Sequence, residues 1–436
     1  MNLKRPEEII VLANGKLVIE SSAESRFLVN REVFVSEDIL KLEREKIFNR
    51  SWIYAGHSSE ISKPGDFRSR LAAGRPIIFC RDTQGEVRVH INSCRHRGAM
   101  VCREREGNTR GFYCFYHGWT FNNDGTLRSV PGADSYGDKF DKSLLGLVPV
   151  PRLESYRDFW FVNFDINARP LIDDLAGAKE YIDIIVEQSP SGQMEIISGT
   201  QEYEIKANWK LLVENSVDDY HLLSTHITWM NYMSHSGVNM KRNKGALLPM
   251  QGRGKDLGNG HLVIDNPNYR GRPVAAWISI YGEDAKADIA NMRAELAARL
   301  GEDRARRVAD TNRNLAIFPN LVLNDGSSVT VRNFWPVAPD RIKVTAWCLG
   351  PIEETQEQRA RRLHAFLTFY GPGSFATPDD VAALESAQAG YASWQEVTHN
   401  DLSRGMGKAL PDQLDTDEEH IRVFWRRWSE LMETQS

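Results

Sequence analysis

The chain has 436 residues, enough for two or three domains that each bury a core. A hydrophobic share of 41% and a charged share of 26% are those of an ordinary globular protein. The 54 basic and 59 acidic residues leave −5, too even to indicate nucleic acid or an anionic membrane as partner. Five scattered cysteines (80, 94, 102, 114, 348) form no disulfide framework. No apolar run reaches the length of a membrane span, and the charged start MNLKRPEEIIVLANGK lacks a signal peptide's apolar core. The expected setting is the cytoplasm.

Residues 1–49 read as an entry segment. Ser36 is placed to cap a helix over SEDILKLEREKIFNR, with Glu37 and Asp38 in its first turn and Leu40, Ile47 and Phe48 on its apolar side. From Trp52 short β-runs alternate with turn residues. PIIFCRD and VRVHIN predict paired strands, Asn123-Asp124-Gly125 a turn, and FWFVNF (159–164) a closing strand. The expected module spans 50–165 and is all-β.

Within it lie two metal-binding pairs, Cys94-x-His96 and Cys114-x-x-His117. Each fits a tight loop, with Gly98 and Gly118 placed for close backbone approach. Two thiolates suit one iron of a 2Fe-2S cluster and two imidazoles the other, a substitution that raises the reduction potential. A zinc site also uses two cysteines and two histidines, though it usually pairs like ligands at each end. Cys102 is off-register for either pair and reads as a small buried hydrophobe.

Beyond 165 the elements lengthen. QEYEIKA (201–207) predicts a strand leading into a helix from Trp209. A second helix is expected over ADIANMRAELAARL, with Ile289, Met292, Leu296 and Leu300 on one face. NLVLND, SVTVRNFWPV and RIKVTAWCLG predict an antiparallel sheet. EETQEQRARRLHAFLTFY predicts a helix stopped by Gly371-Pro372-Gly373, and Thr377-Pro378 caps the next. The expected region, 166–436, is a sheet flanked by helices, and the chain as a whole is α+β.

Asn208 to His226, NWKLLVENSVDDYHLLSTH, carries a second constellation. Asp218 and His221 are expected on one helix face. His226 lies about 140° round an ideal helix from His221, so both reach one metal only where the helix ends, kinks or widens into a π-turn. Two histidines, a carboxylate and open positions make the facial triad of a mononuclear ferrous centre.

CRHRG and CFYHGW closely resemble the two halves of a Rieske iron–sulfur motif. The NWK…EN..D.YH….H string resembles the catalytic motif of aromatic-ring-hydroxylating oxygenase large subunits, which also begin with a Rieske domain. The two motifs cover most of the chain, which looks most similar to the benzoate, cumate, terephthalate and salicylate branch. The resemblance implies a helix-grip catalytic domain, with the entry segment packed on it. It implies His221 and His226 as iron ligands and Asp218 as the acid linking the iron to a neighbouring subunit's cluster. By the pattern FYGPGSFATPDD it implies Asp380 as third ligand, with Asp379 the alternative. In the same register Glu214, Asn215, Leu222, Tyr370 and Ala376 fall near substrate. A carboxylate substrate would want a buried cation, for which Arg253, Arg313 and Arg332 are available, though each also reads as solvated surface charge.

The activity implied is addition of both atoms of O2 to an arene, giving a cis-dihydrodiol. No G-x-G-x-x-G fingerprint follows a strand, so electrons from NAD(P)H must come through a separate reductase, with or without a ferredoxin. An α3β3 or α3 assembly is implied. A Rieske monooxygenase or O-demethylase would use the same metals, and a pure electron-transfer protein only the cluster.

Overall fold

The computed structural model describes residues 16–238, 252–267, 276–409 and 412–433. The chain divides into two compact units. Phe48–Asp174 forms one, and the segment up to Ile47 joins Leu175 onward in the other. No helix among the described residues is long and apolar enough to cross a membrane.

The smaller unit is built of short antiparallel sheets. One places Val87–Ile91, Arg75–Arg81, Asp66–Ala72 and Glu106–Asn108 side by side. The expected pairing of PIIFCRD with VRVHIN is present, with Ile78 opposite His90. Its turn is held by Asp82, whose carboxylate accepts from the backbone of Gln84 and Glu86. Phe159–Asn163 is the middle strand of a second sheet, between Arg152–Tyr156 and Ile53–His57. A third, Gly111–Tyr113, Thr120–Asn122 and Leu127–Ser129, carries the second cysteine loop. Phe67, Ile78, Phe112, Trp119 and Phe121 pack beneath both loops, and Cys102 is buried in that cluster.

The larger unit is organised on an eight-stranded antiparallel sheet. The strands expected from NLVLND, SVTVRNFWPV and RIKVTAWCLG are neighbours in it: Leu321–Asp325, Val329–Ala338 and Arg341–Pro351. Arg341–Pro351 is long enough to pair with both Gln201–Ile205 and Met194–Ile196 on its other edge. Thr311–Ile317, His261–Pro267 and Arg253–Gly258 continue the sheet. Because side chains alternate along a strand, the register sorts them by face. Val263, Leu315, Leu323, Val331 and Trp347 form one apolar row across the strands. The adjacent row, on the opposite face, carries Asn314, Asn324 and Thr330.

Several helices form where the local signals placed them. Asn208 caps Trp209–Ser216 and also donates to Phe34 and Pro339 carbonyls. Thr355 and Gln358 form a capping box on Gln356–Phe369. Ile289 and Leu296 are buried on Ala285–Leu300. Two expectations need correction. Ser36 does cap Glu37–Glu43, but the next residues, Arg44–Phe48, widen into a π-turn, so the segment is not one regular α-helix. Thr377 is the first residue of Thr377–Gly390 and not its cap. Its hydroxyl instead accepts from Gly371 N–H at 2.9 Å, tying the glycine turn to the helix it precedes.

At the centre of this unit Glu43 and Lys210, both wholly buried, pair at 2.6 Å. Glu43 also accepts from the indole N–H groups of Trp209 at 2.7 Å and Trp428 at 2.8 Å. One carboxylate therefore joins the entry segment, helix Trp209–Ser216 and the C-terminal helix Glu419–Glu433. Removing one partner of such a pair leaves the other buried and uncompensated, which typically costs roughly 3–5 kcal/mol. Glu43→Ala should lower unfolding stability by about that much, read from denaturant midpoints. Glu43→Met combined with Lys210→Met should recover much of the loss.

Candidate metal centres

The two cysteine loops share one backbone plan although their ligand spacings differ. Cys94 N–H donates to Ala99 O and Gly98 N–H returns to Cys94 O. Cys114 N–H donates to Trp119 O and Gly118 N–H returns to Cys114 O. Both glycines have φ of +76°, a conformation that disfavours any side chain, so each loop closes four residues after its cysteine. Cys94 and Cys114 are buried at 4% and 1% exposure, while His96 and His117 are half-buried above them. The two imidazoles lie 4.5 Å apart between ring centroids, and His96 stacks on Trp119 at 5.2 Å. Thiols inside and imidazoles outside fit a cluster with one thiolate-bound and one imidazole-bound iron. Buried Asn92 braces the first loop by accepting from Val101 and Cys102 N–H and donating to Cys102 O. Cys102 donates its thiol proton toward Glu104 O, and burial pushes its pKa up to about 11.

In the larger unit, helix Trp209–Ser216 stops at Val217, whose backbone leaves the helical region. Asp218 is therefore not on a helix face with His221, as the spacing had indicated. Its Oδ1 accepts from Tyr220 N–H, an aspartate turn that follows the helix end. His221 then opens the single turn Leu222–Thr225, and His226, at φ −89° and ψ 43°, breaks it before Ile227–His235 begins. A broken helix, not a π-turn, brings the two rings together.

His221 Nε2 and His226 Nε2 lie 3.2 Å apart, and Asp380 Oδ1 is 3.4 Å and 3.3 Å from them. Ligand bonds of about 2.1 Å meeting at right angles put neighbouring donor atoms about 3.0 Å apart. The three atoms thus fit one triangular face of an octahedron and leave the opposite face open. Asp379 is 3.9 Å from His226 Nδ1, on the far side of that ring. His221 Nδ1 donates to Asp218 Oδ2 at 3.1 Å, and Asn215 donates to Asp380 Oδ1 at 3.1 Å. Burial works against a charged His221, but the bonds to Asp218 and Asp380 outweigh it and lift its pKa to about 10. Burial likewise raises Asp380, yet His221, His226 and Asn215 hold it below the usual carboxylate range.

A cavity of about 100 Å³ opens on this triad. Asn215, Leu222 and Tyr370 line it. Glu214 and Ala376 do not. Glu214 turns away to accept from Trp425 Nε1 at 2.6 Å, and Ala376 is buried with Trp229 and Met233. His235 and His261 also lie off the cavity; His261 Nδ1 accepts from Phe318 N–H. Lys210, a conceivable partner for Asp218, is committed to Glu43. Arg253 is exposed, but Arg313 and Arg332 are buried at 3% and 7%, against the expectation of solvated charge. Sequence reasoning missed Ser216, Phe369 and the polar row Asn314–Asn324, all of which line the cavity. Polar residues inside strands that are otherwise apolar, Asn312 to Asn314 in TNRNLAI and Asn324 in LVLND, were the available signal.

Residues 51–156 match the Rieske [2Fe-2S] domain, and residues 197–434 match the ring hydroxylating alpha subunit (catalytic domain). The chain is 33% identical over 399 residues to the 2-halobenzoate 1,2-dioxygenase large subunit of Burkholderia cepacia, covering 87% of this chain and 80% of that one. It is 34% identical over 392 residues to the toluate 1,2-dioxygenase subunit alpha of Pseudomonas putida, covering 89% and 84%. Naphthalene 1,2-dioxygenase from Rhodococcus sp., solved with indole bound, superposes with a TM-score of 0.81 at 29% identity, covering 94% and 95%. A cluster-bearing β-domain followed by a mononuclear-iron domain defines a Rieske-type oxygenase. The chain belongs to the family of ring-hydroxylating dioxygenase large (alpha) subunits. Its cofactors are a Rieske 2Fe-2S cluster and a mononuclear iron.

Asp380→Ala should drop iron from about three to about two per chain with the cluster's visible spectrum intact, measured by metal analysis and absorption. Glu214 gives a second expectation. Desolvation raises its pKa to about 8 from an ordinary 4.5, so its contribution to stability is present below 4.5 and lost as pH rises through 8. Glu214→Gln should therefore gain on the wild type between pH 5 and pH 9, seen as a melting-temperature difference that grows with pH.

Proposed function

We propose that this chain is the terminal oxygenase component of a multicomponent system that converts a benzoate-type aromatic acid to a cis-dihydrodiol. The observation that carries the reading is the facial triad of His221, His226 and Asp380 beside a cavity on the scale of one aromatic ring. The relatives named for 2-halobenzoate and toluate support the acid class.

The iron, when bound, supplies O2 activation, with electrons stored in the cluster. The chain's own groups prepare the site for it. Asp218 accepts the Nδ1 proton of His221, which leaves Nε2 as the nitrogen that would hold the metal. Asn215 fixes one oxygen of Asp380. Leu222, Phe369 and Tyr370 give the ring apolar and aromatic walls. Cys94, His96, Cys114 and His117 are assigned to the cluster.

We divide the chain into an entry segment, 1–49, a cluster domain, 50–165, and a catalytic domain, 166–436, on which the entry segment packs. Asp218, a quarter exposed, is assigned the link to a cluster histidine of a neighbouring subunit. That role requires a ring of α subunits, for which we propose α3β3, with α3 as the variant. A separate reductase, with a ferredoxin where one is used, delivers electrons from NAD(P)H, and the cytoplasm is the proposed location.

Turnover under ¹⁸O2 with a reconstituted reductase, over a panel of benzoates and bare arenes, tests the reading. Two labelled oxygens in the diol are expected. One label would make the protein a Rieske monooxygenase or O-demethylase instead.

A further inference from the structure

Four arginines are buried among the described residues: Arg313, Arg332, Arg362 and Arg422. Three of them have a carboxylate. Arg313 bonds to Asp325, Arg362 to Glu354 at 2.6 Å, and Arg422 to Glu419 at 2.9 Å. Arg332 has none among the described residues. Its Nη2 donates to Ser216 Oγ at 2.6 Å, and it hydrogen-bonds the Tyr203 side chain, both neutral partners. Its Nε is buried without a partner.

A guanidinium taken out of water costs several kcal/mol unless an anion compensates it. Arg332 incurs that cost on the wall of the cavity that also holds His221, His226 and Asp380. It projects from the middle of Val329–Ala338, opposite Val322 and Ala346. Asn324 Oδ1 and Thr330 Oγ1, on the same sheet face, are also buried without partners. The cavity thus has a cationic, hydrogen-bonding wall at the sheet and a metal face at the helices. Arg313 also borders it, but Asp325 neutralises that charge.

We propose that Arg332 is the specificity-determining residue that binds the carboxylate of the substrate, an inference that rests on the aromatic-acid reading above. The free Nε–H and the remaining guanidinium hydrogens supply a planar fork matched to a carboxylate. The acid group would then be held at the sheet, with the ring extending into the cavity. A hydrocarbon would leave the charge uncompensated, so the same residue selects against bare arenes.

The test compares benzoate with benzamide, and 2-aminobenzoate with 2-aminobenzamide, by equilibrium binding to the anaerobic holoenzyme and by turnover. Wild type should prefer each acid to its amide at least tenfold. Arg332→Gln should weaken acid binding by about a hundredfold, leave amide binding within a few-fold, and raise KM for acids more than it lowers kcat. Arg332→Lys, which keeps the charge but not the fork, should show an intermediate acid-to-amide ratio, and serves if the glutamine variant fails to fold. A wild-type ratio in either variant, or equal loss of acid and amide, would overturn the assignment while leaving the acid reading in place. A wild type with no preference for the acids would remove that reading and this assignment with it.

Discussion

The arrangement of the larger unit depends on one buried carboxylate. Glu43 comes from the entry segment and meets Lys210, Trp209 and Trp428, groups separated by hundreds of residues. In a low-dielectric interior each of these donors needs an acceptor, and Glu43 satisfies three together. The consequence reaches the iron site because Trp209 and Lys210 form the first turn of the helix that ends at Ser216. Its last turn presents Asn215 to Asp380 and Ser216 to Arg332. The entry segment is thereby tied to the placement of metal ligands more than 170 residues further along the chain.

The two metal positions are built by different economies of backbone. The cluster loops repeat one hydrogen-bonded turn twice, each closed by a left-handed glycine, and tolerate histidines at different offsets because the imidazoles stand outside the turn. The iron position has no such local template. It needs a helix that ends, an aspartate turn, a second break at His226 and a distant helix start at Thr377. A site assembled from interrupted helices is held by its neighbours, which is why Asp218 and Asn215 each fasten one ligand.

The polar face of the sheet shows how a cavity can be written into strands. Alternation sends Leu315, Leu323 and Val331 to one side and Asn314, Asn324 and Arg332 to the other. That second side would be a poor core, with an unsatisfied Asn324 carbonyl and a guanidinium that has no carboxylate among the described residues, unless something polar is bound against it.

Much was legible in the residues alone. The cysteine–histidine pairs, their glycines, the strands of the sheet and the need for a break between His221 and His226 follow from spacing and local conformational preference, which are short-range. The ligand Asp380 was legible only through resemblance, since no local rule connects it to a histidine 159 positions earlier in the chain. Tertiary structure alone decided the rest. It turned Glu214 toward Trp425, buried Ala376 away from the cavity and committed Lys210 to Glu43. It also left Arg332 buried with only neutral partners among the described residues while giving Arg313 a carboxylate. These outcomes depend on which face of which strand or helix meets which neighbour, and sequence periodicity specifies a face without naming what lies opposite it.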